Sequence, residues 1–160
     1  GGLGVVEVVF VTLLGHRVDR SELLAALLVF RVLYYLAPFG VALAAYAAAS
    51  LLHHAHNAEF LADYPGMPEW LSRGTVYAVW AGATALGVLG YVLVHLGHRV
   101  IGLSLIALYG AYGFGSLAHY WLAPPAAHGA GMNATIVLEV LTAALLLAAM
   151  IRAALSSAST

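Results

Sequence analysis

Cysteine and lysine are absent from these 160 residues, and charge of either sign is scarce. Without cysteine there is no disulfide and no thiolate metal centre, and the redox compartment leaves no trace in the chain. All six basic residues are arginine, set against seven acids, a balance that argues against nucleic-acid binding. Charged residues make up 8% of the chain, where a soluble domain carries about 25%. Apolar residues fill the rest, with 63% hydrophobic and a mean hydropathy of +0.94. That composition is the composition of an integral membrane protein, and the expected fold class is all-α: a polytopic helical bundle.

A bilayer span needs about 20 mainly apolar residues. Val5 to Leu14 is apolar over about half that length and follows a glycine-rich stretch, so it reads as a half-helix or re-entrant segment. Asp19 and Glu22 have capping-box spacing, which predicts a helix from Arg20 to about Ser50 or His53, kinked at Pro38. Asn57 to Gly74 is a loop with the turn residues Pro65-Gly66-Met67-Pro68. Thr75 to Val94 and Ile101 to Leu122 are complete spans joined to each other directly. The stretch from Ala123 to Gly131, with Pro124-Pro125, is a short connection. Asn133 is placed to cap a last span that runs to about Ile151. The total is about four spanning helices plus the N-terminal half-helix. In this layout Arg17, Arg20, Arg99 and Arg152 share one side, cytoplasmic by the positive-inside rule, while Arg73 lies opposite and Arg31 lies inside the core.

Two charges in apolar surroundings stand out. Glu7 follows Gly1-Gly2-Leu3-Gly4, and Arg31 opens the run Arg31-Val32-Leu33-Tyr34-Tyr35-Leu36-Ala37-Pro38. An ionisable group at bilayer depth costs several kcal/mol unless it is paired or faces a wet cavity. Tyr34 and Tyr35 lie three and four residues past Arg31, on its helix face, where they can steady a guanidinium or simply pack. The glycine-glycine-x-glycine-x-x-glutamate segment, followed by a helix with Arg, paired aromatics and Pro, resembles the C-terminal part of the lysylphosphatidylglycerol synthase/flippase membrane domain family over residues 1 to 48.

That resemblance implies a phospholipid translocase of the bacterial cytoplasmic (inner) membrane. Glu7, Arg31, Gly1, Gly2, Gly4, Tyr34 and Tyr35 then line a path for an anionic or aminoacylated lipid headgroup, with Arg31 on the phosphate. No aminoacyl-transferase domain is present, so transport rather than catalysis is expected. Because the matching segment normally ends a multi-span domain, the chain is expected to be a fragment that lacks upstream membrane helices. Residues 54 to 150 resemble uncharacterised small multi-span membrane proteins of bacteria, a resemblance that brings no activity. The expected division is therefore 1–50, flippase-like, and 51–160, a three-span module of unknown function, with homo-oligomerisation left open.

A histidine cluster offers a rival chemistry. His53, His54 and His56, with Glu59 and Asp63 close behind, are ligand types suited to zinc or haem. Helical spacing puts His53 and His56 on one face and turns His54 away. With His119 and His128 from the same end, the candidate metal set is His53, His56, His119 and His128. No recognised zinc signature is present, and the expectation is that these side chains do not assemble but serve as polar helix ends, with no cofactor bound. A further polar stripe runs through Tyr109, Tyr112, Ser116 and His119, and through Thr135, Glu139 and Thr142. It predicts a structural pair between His119 and Glu139 across two adjoining spans. A purely structural membrane subunit is the third reading.

Overall fold

The structure, a computed structural model, describes the backbone at residues 5–31, 33–34 and 37–158, and side chains at 8–30, 33–34, 37–152 and 154. The side chains of Glu7, Arg31 and Tyr35, and all of Gly1, Gly2 and Gly4, lie outside the described residues. The described residues are helical throughout the elements, with no strand. The helices are α1 (Val5–Leu14), α2 (Arg20–Arg31), α3 (Ala37–Glu59), α4 (Arg73–His95), α5 (Arg99–Tyr112), the single turn α6 (His119–Leu122) and α7 (Ala130–Ala158). Contacts divide the chain into two compact units, residues 1–41 with 148–160, and residues 42–147.

In the first unit, Asp19 starts α2. Its carboxylate accepts from the Ser21 N–H at 2.7 Å and from the Ser21 hydroxyl, satisfying donors that a helix start leaves open. Those hydrogen bonds, the hydroxyl's first, hold the Asp19 carboxyl below the usual value. Along the stretch expected as one helix from Arg20, the described backbone is α-helical to Arg31 (α2), π-helical at Leu33 and Tyr34, and α-helical again from Ala37 (α3). Pro38 is the second residue of α3 and follows the π-helical residues by a single turn, the kind of local irregularity that accompanies a proline in a helical stretch. Tyr34 stacks on Phe30 with centroids 5.0 Å apart. The Arg152 guanidinium, from α7, lies over the Tyr34 ring at 4.1 Å from its centroid.

The second unit holds most of the architecture. Ser72 caps α4 by accepting from the Thr75 N–H at 3.1 Å. At its far end Gly97 has φ 88°. The bonds Gly97 N–H to Val94 O (3.1 Å) and His98 N–H to Leu93 O (2.8 Å) make the Schellman closure that only glycine takes without strain. The chain reverses into α5 within three residues, so Arg73 and Arg99 lie at opposite ends of the α4–α5 pair. The two helices cross almost backbone to backbone at Gly90 and Gly102. A Cβ built on Gly102 falls 2.6 Å from the Gly90 carbonyl oxygen and 2.7 Å from the Val94 nitrogen. After α5 the helix tightens into 3₁₀ turns over Gly113–Ala118. Gly113 and Gly115 lower the α-helical preference there, and the Ser116 hydroxyl donates back to the Gly113 carbonyl at 2.6 Å.

Asn133 does not cap α7, which starts three residues earlier at Ala130. Its side chain ties the preceding hairpin to the helix instead. Nδ2 donates to Pro125 O and His128 O, both at 3.1 Å, and Oδ1 accepts from the Tyr120 hydroxyl at 2.8 Å. The match of Asn133-Ala134-Thr135 to a glycosylation sequon therefore falls on a nitrogen already engaged in the fold. The loop after α3 packs on the same end: a Cβ on Gly66 would meet Leu122 at 3.1 Å, and the rings of Tyr64 and His128 lie 6.4 Å apart.

Three helical stretches are long and apolar enough to cross a membrane: Arg73–His95, Arg99–Leu122 and Ala130–Arg152. Their outward faces are apolar, with Trp121 88%, Val100 80% and Leu108 60% exposed, while Glu139 is 1% and His53 2% exposed. Polar residues inside and large apolar ones outside are the reverse of a water-soluble surface. A membrane protein follows. The interior is layered: Tyr46, Ile106, Ile136, Ala143 and Leu146 are fully enclosed, and the polar residues collect beside them toward the loop end.

Candidate functional site

The polar interior begins with one stripe on α3. Ser50, His53, His54 and Asn57 are all buried and fall within two helical turns. Facing them are Thr135, Glu139 and Thr142 on α7, again at helical spacing, and Ser116 and His119 from the 3₁₀ segment and α6. Between them lies a cavity of about 160 Å³ lined by His53, His54, Asn57, Tyr112, Gly115, Ser116, His119 and Glu139. All eight belong to the second unit.

The packing that holds this cavity open is specific. Tyr46 donates to the Tyr109 carbonyl at 2.9 Å and packs edge-on against the Tyr109 ring, centroids 4.6 Å apart. Gly113 lets the chain approach them: a Cβ there would stand 2.6 Å from the Tyr46 ring and 2.8 Å from Ala143. That close approach brings the 3₁₀ turns inward and sets Ser116 against the α3 and α7 polar faces. Gly115, by contrast, is exposed, and a Cβ on it would meet nothing within 4 Å. It forms the open edge of the cavity.

Hydrogen bonds orient the imidazoles. His54 donates from Nδ1 to the Ser50 carbonyl at 2.9 Å, and its Nε2 pairs with the Tyr112 hydroxyl at 2.9 Å. His53 Nδ1 lies 3.3 Å from the Thr135 hydroxyl. Asn57 Nδ2 donates to His119 Nε2 at 3.2 Å. Glu139 Oε2 is 3.8 Å from His53 Nε2, and Oε1 is 3.8 Å from His54 Nδ1. Hydroxyls of Ser50 and Ser116 stand close to the carboxylate, yet neither of its oxygens closes a hydrogen bond to protein. Asn57 Oδ1 and His119 Nδ1 are likewise buried without a protein partner.

This arrangement sorts the expected site residues differently from helical spacing alone. His53 and His54 share the cavity, whereas His56 turns to Tyr64, its Nδ1 2.9 Å from the hydroxyl. Successive residues 100° apart can both reach a wide cavity between two helices, which a one-face argument overlooks. The imidazoles at Glu139 are those of His53 and His54; His119 lines the same cavity but engages Asn57 and lies 5.3 Å from the His53 ring, centroid to centroid. His128 stays on the hairpin, its Nδ1 3.1 Å from Pro124 O, with its ring 6.2 Å from that of His119. The candidate metal set His53, His56, His119 and His128 is thus divided among four hydrogen-bond partners, Thr135, Tyr64, Asn57 and the Pro124 carbonyl. Asn57 and Ser50 complete the site and were missed as candidates, although their spacing from His53 and His54 along α3 is a legible signal. No family model, curated protein or solved structure matches the chain.

Proposed function

We propose that the protein is a transport-type integral membrane protein of a bacterial cytoplasmic membrane, with the Glu139 cavity as the working site for a small cation. The observation that carries this reading is a 1% exposed carboxylate whose oxygens have no protein hydrogen bond and face a cavity lined by histidines. A carboxylate surrounded by hydrocarbon costs several kcal/mol unless it is paired or hydrated, so a chain retains one there chiefly where charge is handled. The polytopic arrangement that goes with it has four spanning helices, α3 joining the three most apolar stretches, and α1, at 10 residues, as the half-helix. Solid-supported membrane electrometry on proteoliposomes tests the reading. Concentration jumps of H⁺, Na⁺ and ammonium are expected to give a current with at least one of the three, lost in Glu139→Gln. A wild-type current equal to that of protein-free vesicles for all three ions, or one unchanged in Glu139→Gln, overturns it.

Zinc or haem bound by the histidines is the less supported rival, because His56 is committed to Tyr64 and both ring nitrogens of His54 are engaged. For residues 1–48 the resemblance to the flippase membrane domain supports lipid translocation as a second activity, with Arg31 on a lipid phosphate and Glu7 balancing charge. A fluorescent-phospholipid scrambling assay on proteoliposomes of the protein tests that part. Loss of movement in Arg31→Gln is expected, and an unchanged rate removes the proposal.

A further inference from the structure

The hydrogen-bond donors and acceptors around Glu139 do not balance, and the imbalance has a chemical sign. The Thr135 hydroxyl commits its only proton to the Met132 carbonyl at 3.0 Å, so toward His53 it can only accept. His53 therefore carries its proton on Nδ1 and presents a bare lone pair at Nε2. That lone pair faces Glu139 Oε2 across 3.8 Å: two acceptors opposed, with no donor between. The same bookkeeping applies around the wall. His54 spends its Nδ1 proton on the Ser50 carbonyl and takes the Tyr112 proton at Nε2. The Ser116 proton goes to Gly113 O. Asn57 gives an N–H to His119 Nε2 and leaves its Oδ1 unpartnered, while His119 Nδ1–H and the Ser50 hydroxyl are the unspent donors, fewer than the acceptors they face. Four acceptors (both Glu139 oxygens, His53 Nε2 and Asn57 Oδ1) thus converge on a cavity that contains neither lysine nor arginine.

Resting on the cation-handling reading of this cavity, we infer that its ligand is a small cation bearing N–H donors, of the ammonium or primary alkylammonium class. A tetrahedral N–H donor set bridges the opposed His53 Nε2 and Glu139 Oε2 and reaches the Asn57 amide oxygen as well. It supplies positive charge where the protein supplies none. A cavity of about 160 Å³ holds such an ion with water, each water occupying roughly 30 Å³ in the liquid. A bare alkali ion gains charge neutralisation there but leaves the directional acceptors imperfectly matched. A tetramethylammonium ion brings the charge and no donor. Selection is therefore by N–H donation, and the exposed edge at Gly115 is the point of entry.

The test is thermal unfolding of the full chain in nanodiscs, titrated in parallel with methylammonium, tetramethylammonium and sodium chlorides and with zinc at equal ionic strength. Methylammonium is expected to raise the unfolding temperature saturably, while tetramethylammonium and sodium do not. Glu139→Gln is expected to weaken methylammonium about tenfold or more, the loss of a charge-assisted bond. Asn57→Leu acts in the same direction without touching the carboxylate. Gly115→Phe, at a position open enough to take a side chain, slows binding at the cavity edge while the protein remains folded. Equal shifts with methylammonium and tetramethylammonium, no shift with methylammonium, or a shift only with zinc each overturn the inference. Absence of methylammonium binding alongside a Glu139-dependent proton or sodium current defeats the inference and leaves the cation reading standing. Methylammonium binding without any Glu139-dependent current defeats the transport reading alone.

Discussion

Removing the Asn133 side chain should destabilise the loop end of the bundle by an amount the structure sets in advance. Three hydrogen bonds meet on it: two N–H donations to carbonyls of the hairpin and one acceptance from Tyr120. A neutral intramolecular hydrogen bond contributes about 0.5–1.5 kcal/mol net. The bond to Pro125 is exposed and belongs at the low end; the other two are part-buried. Asn133→Ala is therefore expected to cost about 2–3 kcal/mol, and Tyr120→Phe, which removes a single bond, about 1 kcal/mol. Because that bond is shared, the double variant should be little worse than Asn133→Ala alone, leaving a coupling of about 1 kcal/mol in the double-mutant cycle. Thermal and denaturant unfolding in detergent, followed by tryptophan fluorescence, measures all three. A loss under about 1 kcal/mol for Asn133→Ala, or strict additivity in the double variant, would refute the clamp.

Opposite outcomes are expected from two glycine-to-alanine changes. Gly102→Ala puts a methyl against backbone atoms of α4 that cannot swing aside, and overpacking of this kind costs about 1–3 kcal/mol. Gly82→Ala on α4 meets nothing within 4 Å and should be neutral or stabilising by up to about 1 kcal/mol; equal unfolding temperatures for the two would contradict the close crossing. The start of α2 should be acid-sensitive. Hydrogen bonding lowers the Asp19 carboxyl from 3.8, so the stabilisation is complete above that value and fades as pH falls through the lowered one. Helicity of α2, followed by carbonyl NMR, should lose this dependence in Asp19→Asn, and a retained dependence would assign it elsewhere. Cysteines replacing Asp63 and Arg99 should label from opposite faces of a membrane, since α4 at 23 residues is about 34 Å long at 1.5 Å per residue. Labelling of both from one face would contradict the span.

Much of the architecture was legible from residue order. Apolar runs of span length, the Pro-Gly-Met-Pro loop, the Pro-Pro hairpin and the Asp19 cap are local facts, and local chemistry placed them within a few residues of the observed elements. Composition alone excluded disulfides and thiolate centres, and the apolar content announced a membrane protein. What helical periodicity could not supply was the angular relation of one helix to another. It placed His53 with His56 because they share a face, yet packing of α3 against α7 turned the His53 and His54 edges toward Glu139 and left His56 for Tyr64. It offered His119 as the partner of Glu139, while the inward 3₁₀ turns at Gly113–Ala118 aimed that ring at Asn57. It read Asn133 as a cap, where the hairpin carbonyls and the Tyr120 hydroxyl claim its side chain. Residue spacing determines a direction within one helix. Only when side chains of several helices compete for the same enclosed volume and the same few donors is it decided which of them meet.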